Sequence, residues 1–139
     1  MDETLAKIST KSREKLDILI NREVNLREYQ RMLNDLIERI KAAQTATERD
    51  KSLLKHIKER INETEEVIEY SKEYVNLTKK EINTIKASAL GFIRQMEIEK
   101  IVKNIKKTLK EIKEEIKEIL PIKMQVTNTL NRVLAQMNI

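Results

Sequence analysis

Residues 98–119 read IEKIVKNIKKTLKEIKEEIKEI, and an apolar residue recurs every three or four positions along them. The residues that keep this spacing are Ile98, Val102, Ile105, Leu109, Ile112, Ile116 and Ile119. Side chains at this spacing lie on one face of an α-helix, and a long apolar face is removed from water only when other helices pack against it. The stretch therefore predicts a long helix inside a helical bundle.

Charged residues follow the same helical spacing beside this apolar face. On one side lies a candidate basic ridge, Lys103, Lys106, Lys110, Lys113 and Lys117, and on the other lie Glu111, Glu115 and Glu118. Several neighbours four positions apart carry like charges, so ion pairs within the helix do not explain the arrangement. The ridge is either a solvated face or a surface that contacts an anionic partner.

The composition limits the class of protein. Of the 139 residues, 37% are charged and 40% are hydrophobic, with one glycine, one proline, no tryptophan and no cysteine. This composition is typical of coiled coils and long helices. The absence of cysteine excludes disulfides and thiolate metal sites, and the scarcity of aromatic residues speaks against a small-molecule pocket.

Apolar periodicity and its interruptions predict three helices in one elongated helical domain over 1–139, at residues 4–43, 48–90 and 92–138. Thr47 and Asp50 resemble a capping box at the start of the second helix, with Thr45 and Glu48 as the alternative pair. Short connections make neighbouring helices antiparallel. The predicted fold class is all-α, an elongated antiparallel three-helix coiled-coil bundle.

The joint near Gly91 leaves a second fold open. Gly91 could end a helix in the left-handed conformation, with Phe92 making the accompanying hydrophobic contact. However, no serine, threonine, aspartate or asparagine lies between Gly91 and Met96 to cap a new helix. The alternative is a helical hairpin with one very long second helix.

The segment after Pro121 continues the apolar spacing but loses its acidic residues. Because the phase continues, we expect Pro121 to kink the third helix without ending it. The apolar positions here, surrounded by uncharged polar residues, form a candidate interface with another molecule: Ile122, Val126, Leu130, Val133 and Met137. The alternative is that these residues cover the end of their own bundle.

The second helix carries two further patterns. Small polar residues, Thr64, Ser71 and Thr78, occupy inner positions where leucine is usual. Lysines at heptad spacing form a counterpart to the basic ridge: Lys51, Lys58, Lys72, Lys79 and Lys86.

Catalytic signatures are missing from the sequence, so we expect neither an enzyme nor a bound cofactor or metal. His56 is expected on the polar side of its helix, and Glu66, Glu69 and Glu73 are expected to form a solvated acidic face. No apolar stretch resembles a signal peptide or a membrane span, which favours a soluble, intracellular protein.

Function is predicted only as a class. The sequence favours a non-enzymatic helical scaffold that assembles with itself or with partner helices through coiled-coil seams. The alternative is a polyanion-binding protein that uses its lysine ridges on nucleic acid or on an anionic membrane surface.

Overall fold

The computed structural model describes residues 2–43 and 45–137. They form three α-helices, α1 (Asp2–Ala43), α2 (Glu48–Ser88) and α3 (Phe92–Gln136). The three helices pack against each other, and the described residues contain no strand. The predicted all-α three-helix bundle is therefore confirmed, whereas its coiled-coil character stays a prediction.

The helix boundaries agree closely with those predicted from the sequence. α2 ends at Ser88, two residues before the predicted end, and α3 begins at Phe92 as expected. The hairpin with one very long second helix is wrong, because Gly91 has a φ of 91° and separates α2 from α3. The predicted end of the third helix, at residue 138, lies outside the described residues.

Pro121 lies inside α3, which continues to Gln136. The proline lacks an N–H, so one helical hydrogen bond is missing, yet packing on both sides keeps the segment helical. Ile119 and Val126 on either side of the proline are both fully buried. The prediction that the helix does not end here is confirmed, and the kink itself stays a prediction.

Contacts divide the chain into two compact units, and each helix contributes to both. Unit 1 comprises Met1–Ile20 and Ile68–Lys117, and unit 2 comprises Asn21–Val67 and Glu118–Ile139. The single domain over 1–139 stays a prediction.

The core of unit 1 contains the α3 residues from which the fold was predicted. Ile98, Val102, Ile105, Leu109, Ile112 and Ile116 are all buried, together with Leu5, Ile8, Leu16 and Leu19 of α1 and Ile68, Val75 and Ile82 of α2. Each such side chain contributes roughly 1.5–3 kcal/mol when it is fully removed from water. Aliphatic burial between the helices is thus the main source of stability in this unit.

One hydrogen-bonded cluster interrupts the aliphatic core of unit 1. The Ser12 Oγ lies 2.7 Å from the Tyr74 hydroxyl, which lies 3.3 Å from the Ile8 carbonyl oxygen. The Ile8 carbonyl can only accept, so the Tyr74 hydroxyl donates to it and accepts from Ser12. Ser12 is fully buried, and this bond satisfies its hydroxyl.

The core of unit 2 is built in the same way. Its buried residues include Leu26, Leu33, Leu36, Ile40, Leu54, Ile57, Ile61, Ile119, Val126, Leu130 and Val133. The buried Thr64 and Thr129 hydroxyls donate to the carbonyl oxygens four residues earlier, at 2.8 and 2.9 Å.

Thr64, Ser71 and Thr78 are all buried, which confirms the inner positions predicted for them.

The joint between α1 and α2 is closed by polar side chains. The Thr47 N–H donates to Asp50 Oδ2 at 3.0 Å, and the Asp50 N–H donates to Thr47 Oγ1 at 3.1 Å. Arg39 near the end of α1 donates to the other Asp50 oxygen at 3.0 Å. The capping box predicted at Thr47 and Asp50 is confirmed, and Asp50 also ties α2 to α1.

The joint between α2 and α3 is closed differently. Gly91 adopts the left-handed conformation there, which glycine enters without a steric penalty. The hydrophobic contact predicted for Phe92 is wrong, because 77% of this side chain is exposed.

Over the part of the chain that the structure describes, we find no helix with an apolar stretch sufficient to cross a lipid bilayer.

Candidate binding surfaces

The predicted basic ridge lies on the surface of α3. Lys103, Lys106, Lys110, Lys113 and Lys117 are all exposed. Among residues 2–43 and 45–137, none of these five lysines forms an ion pair. Glu111, which follows Lys110 in the sequence, lies 3.9 Å from Arg13 of α1. The ridge therefore has a positive charge that unit 1 does not neutralise locally.

Three lysines of the ridge meet a fourth lysine from α2. Lys106, Lys110 and Lys113 line an open surface groove of about 360 Å³ together with Lys79 and Asn83. We call this the lysine groove. Lys103 and Lys117, the two ends of the predicted ridge, do not line it. The groove is a place where cations from two helices converge without an intervening carboxylate.

Neighbouring ammonium groups of the lysine groove lower the pKa of Lys79. The side chain of Lys113 has the largest effect and brings the pKa of Lys79 below the ordinary value for a lysine. Desolvation and the charges of Lys113 and Lys106 act in the same direction. An anion placed among these ammonium groups would relieve the repulsion, because it favours their charged forms.

Part of the groove could be recognised from the sequence. Lys79 belongs to the heptad series of lysines in α2, and that periodicity was the available signal. The position of α2 along α3 determines which of these lysines faces the α3 ridge. Periodicity within α2 does not give that position. Lys86 lines a different depression, of about 220 Å³, with Ala89, Gln95, Ile98 and Glu99.

The candidate interface after Pro121 is largely internal to unit 2. Val126, Leu130 and Val133 are buried within the single chain, and Ile122 and Met137 are half-buried. This burial fits the alternative that the segment covers its own bundle. An intermolecular contact made by these residues stays a prediction.

A second surface was missed by sequence reasoning and lies at the joint between α2 and α3. Leu90, Phe92 and Ile93 are 86%, 77% and 74% exposed, and Met96 is 48% exposed. We call these four residues the apolar tip. The available signal was the combination of large apolar residues with the only glycine in the chain. The same pattern also predicts a helix-ending contact, and the sequence alone does not distinguish that contact from an exposed surface.

The exposure of the apolar tip follows from the arrangement of helices in unit 1. α1 and α3 run in the same direction, because each is joined to α2 by a short reversing connection. Arg13 lies level with Glu111, so the start of α1 at Asp2 lies level with roughly residue 100 of α3. Among the described residues, the apolar tip therefore lies beyond the first turn of α1.

The residues considered for catalysis or metal binding lie apart from both surfaces. His56 is exposed, and its ring meets the Tyr29 ring edge to face at a centroid distance of 6.1 Å. Glu66, Glu69 and Glu73 are exposed as predicted, and Glu69 pairs with Lys72 at 3.3 Å.

Comparison with known proteins found no matching protein family, no matching curated protein and no matching solved structure.

Proposed function

We propose that this chain is a non-enzymatic helical binding protein whose lysine groove attaches it to a phosphate-bearing polyanion. One observation carries the proposal: four lysines from two helices line one groove, and no carboxylate of the described residues pairs with them. Lysine ammonium groups are general phosphate ligands, and release of counterions drives such binding.

The distribution of charge supports this location. Unit 1 contains sixteen basic and twelve acidic residues, whereas unit 2 contains twelve and eleven. Within unit 1 the excess is concentrated between Lys79 and Lys113, where ten basic residues accompany four acidic ones. Interleaved glutamates weaken polyanion binding when they share the binding face. Glu111 points to Arg13, so it neutralises a cation outside the groove.

The test compares two pairs of exposed lysines in the full chain. Lys106→Gln with Lys110→Gln removes two charges from the groove, and Lys7→Gln with Lys41→Gln removes two exposed lysine charges outside it. The probes are a short DNA duplex and vesicles containing phosphatidylserine, each at low and at physiological salt. We expect the groove variant to bind at least about tenfold more weakly and to lose about two units of salt dependence on the duplex.

The control variant is expected to bind nearly as the unchanged protein does. Equal losses in the two variants would mean that net charge alone, and not the lysine groove, attracts the probe. If neither probe binds the unchanged protein at low salt, the proposal is wrong.

Assembly with itself or with partner helices is the second candidate. Tyr70 and Leu77 are 67% and 63% exposed and lie seven residues apart, so they share one outer face of α2. This face could pack against a helix of another molecule. Sedimentation of the unchanged protein and of a Tyr70→Ser, Leu77→Ser variant tests it: self-association that survives the substitutions would exclude this face.

A further inference from the structure

The apolar tip and the lysines of α3 lie on one face of the same helix. Counting back from Lys113, the positions on this face are Lys110, Lys106, Lys103, Glu99, Met96 and Phe92, in steps of three and four. Glu99 is the one acidic residue on this face between Phe92 and Lys113. Along α3, an exposed apolar end is thus followed by a row of lysines that points in the same direction.

A surface of this kind has the properties of a peripheral membrane contact. Large apolar side chains enter the boundary between headgroups and acyl chains, and lysines behind them attract anionic headgroups. The chain provides both apolar side chains and lysines, one after the other along α3. A helix pair lying obliquely on a bilayer would place the apolar side chains at the headgroup–acyl boundary and the lysines over the headgroups. Leu90 before the turn and Ile93 in the first turn of α3 extend the apolar end beyond this face.

We propose that unit 1 binds the surface of an anionic lipid bilayer, with the apolar tip in the headgroup–acyl boundary and the lysine groove over the headgroups. This inference rests on the proposed function, since it requires the lysine groove to bind anions, and it names the bilayer as their source. The apolar tip distinguishes the bilayer from nucleic acid, because a duplex offers no apolar layer to four exposed side chains of this size.

The arrangement of the apolar tip also favours lipid. Its three most exposed side chains follow one another around Gly91, where α2 ends and α3 begins. A fluid bilayer adapts to exposed apolar side chains in any arrangement, whereas a protein partner would need a matching pocket. The unpaired lysines between Lys79 and Lys113 supply the charge complementarity to an anionic membrane.

The first experiment uses tryptophan as a reporter, because the chain contains none. Phe92→Trp is placed in the apolar tip, and Val24→Trp is a matched control on an exposed face of α1. With vesicles of phosphatidylcholine and about 30% phosphatidylserine, we expect the emission of Phe92→Trp to move to shorter wavelength. Lipids brominated near the headgroup should quench it, and Val24→Trp should show neither change. Identical behaviour of the two variants would overturn the proposal.

The second experiment separates this inference from the proposed function. Phe92→Ser with Ile93→Ser removes two large apolar side chains that are exposed, so the fold is retained, as circular dichroism would verify. We expect about tenfold weaker binding to the same vesicles, with duplex DNA binding unchanged. The matched control is Val24→Ser with Met124→Ser, at two other exposed apolar residues, which should bind vesicles like the unchanged protein.

Each remaining outcome has a defined meaning. Vesicle binding that is insensitive to the two tip substitutions would overturn the membrane inference. Binding to duplex DNA without binding to vesicles would also overturn it and would identify nucleic acid as the polyanion, with the proposed function intact. Failure to bind either probe at low salt would overturn both proposals.

Discussion

Both joints of the bundle reverse the direction of the chain, but different interactions close them. Between α1 and α2, Thr47 and Asp50 satisfy each other's backbone N–H groups, and Arg39 adds a hydrogen bond from the preceding helix. Between α2 and α3, Gly91 makes the turn by its backbone conformation, and the residues on both sides of it are apolar and exposed. One joint uses its side chains for folding, and the other leaves them available for binding.

This contrast indicates that binding residues are to be expected among the side chains that the fold does not use. Side chains that close a joint are committed to the fold, so their replacement changes stability. Side chains that a joint leaves exposed contribute little to stability, and a group of large exposed apolar residues marks a candidate contact with another molecule. Substitutions of Thr47 or Asp50 should therefore lower stability, whereas substitutions of the exposed side chains of the apolar tip should mainly change binding.

The largest effect is expected at Asp50. Asp50→Ala removes the hydrogen bond to the Thr47 N–H and leaves Arg39 without its partner, so we expect a loss of about 2 kcal/mol in the free energy of unfolding. Chemical denaturation followed by circular dichroism measures it. Glu48→Ala, which removes only an exposed pair with Lys51, should cost no more than about 0.5 kcal/mol. Equal costs would show that the capping box contributes nothing.

Acid should weaken the same joint. Hydrogen bonding to the Thr47 N–H lowers the pKa of Asp50, burial opposes this, and Arg39 lowers it further. A carboxyl group whose pKa is lower in the folded state stabilises the fold above its unfolded pKa, about 3.9, and this contribution is lost as pH falls through the folded pKa. Between about pH 5 and pH 2, the stability of the unchanged protein should thus fall more steeply than that of Asp50→Asn. Parallel curves would contradict this prediction.

A smaller effect is expected at Gly91. A Cβ at this position would meet no atom within 4 Å, so the only cost is the left-handed backbone conformation. We expect Gly91→Ala to lower the free energy of unfolding by about 1 kcal/mol, and Gly91→Asn by less, because asparagine tolerates this conformation. Thermal unfolding of both variants measures the difference. An alanine variant as stable as the unchanged protein would mean that the joint does not require the left-handed turn.

The smallest effect is expected at the apolar tip. Phe92→Ser with Ile93→Ser should change the free energy of unfolding by no more than about 0.5 kcal/mol, because these side chains make little contact within the chain. Denaturation of the same variant used for vesicle binding provides the measurement. A loss above about 2 kcal/mol would mean that both side chains pack in the folded state, and the two joints would then no longer differ.

Much of the fold could be predicted from the sequence because burial follows periodicity. The seam from Ile98 to Ile119 is buried as expected, and the capping box placed the start of α2 correctly. The end of α2 was less predictable. Glycine at position 91 is compatible with a helix as well as with a left-handed turn, and only the packing of α3 against α1 and α2 selects the turn.

The candidate binding surfaces were predictable only in part. Exposure of the lysines in α3 follows from their position beside the apolar seam and not on it, so the sequence predicts the basic ridge. The lysine groove also depends on Lys79 of α2, and the apolar tip depends on where α1 begins beside α3. Both are relations between helices, and the pattern within a single helix does not contain them.

The bond between Ser12 and Tyr74 has a consequence for how the chain avoids misaligned folds. In α1, Leu5, Ser12, Leu19, Leu26 and Leu33 repeat every seven residues, so helices displaced by one heptad would still match apolar residues with apolar residues. Only one alignment brings a hydroxyl of this series to Tyr74, since a displacement replaces Ser12 by Leu5 or Leu19. Leaving these hydroxyls without a partner costs about 1–3 kcal/mol, a factor of roughly 5–150 in population. One buried serine thus removes the degeneracy that a repeated leucine pattern creates.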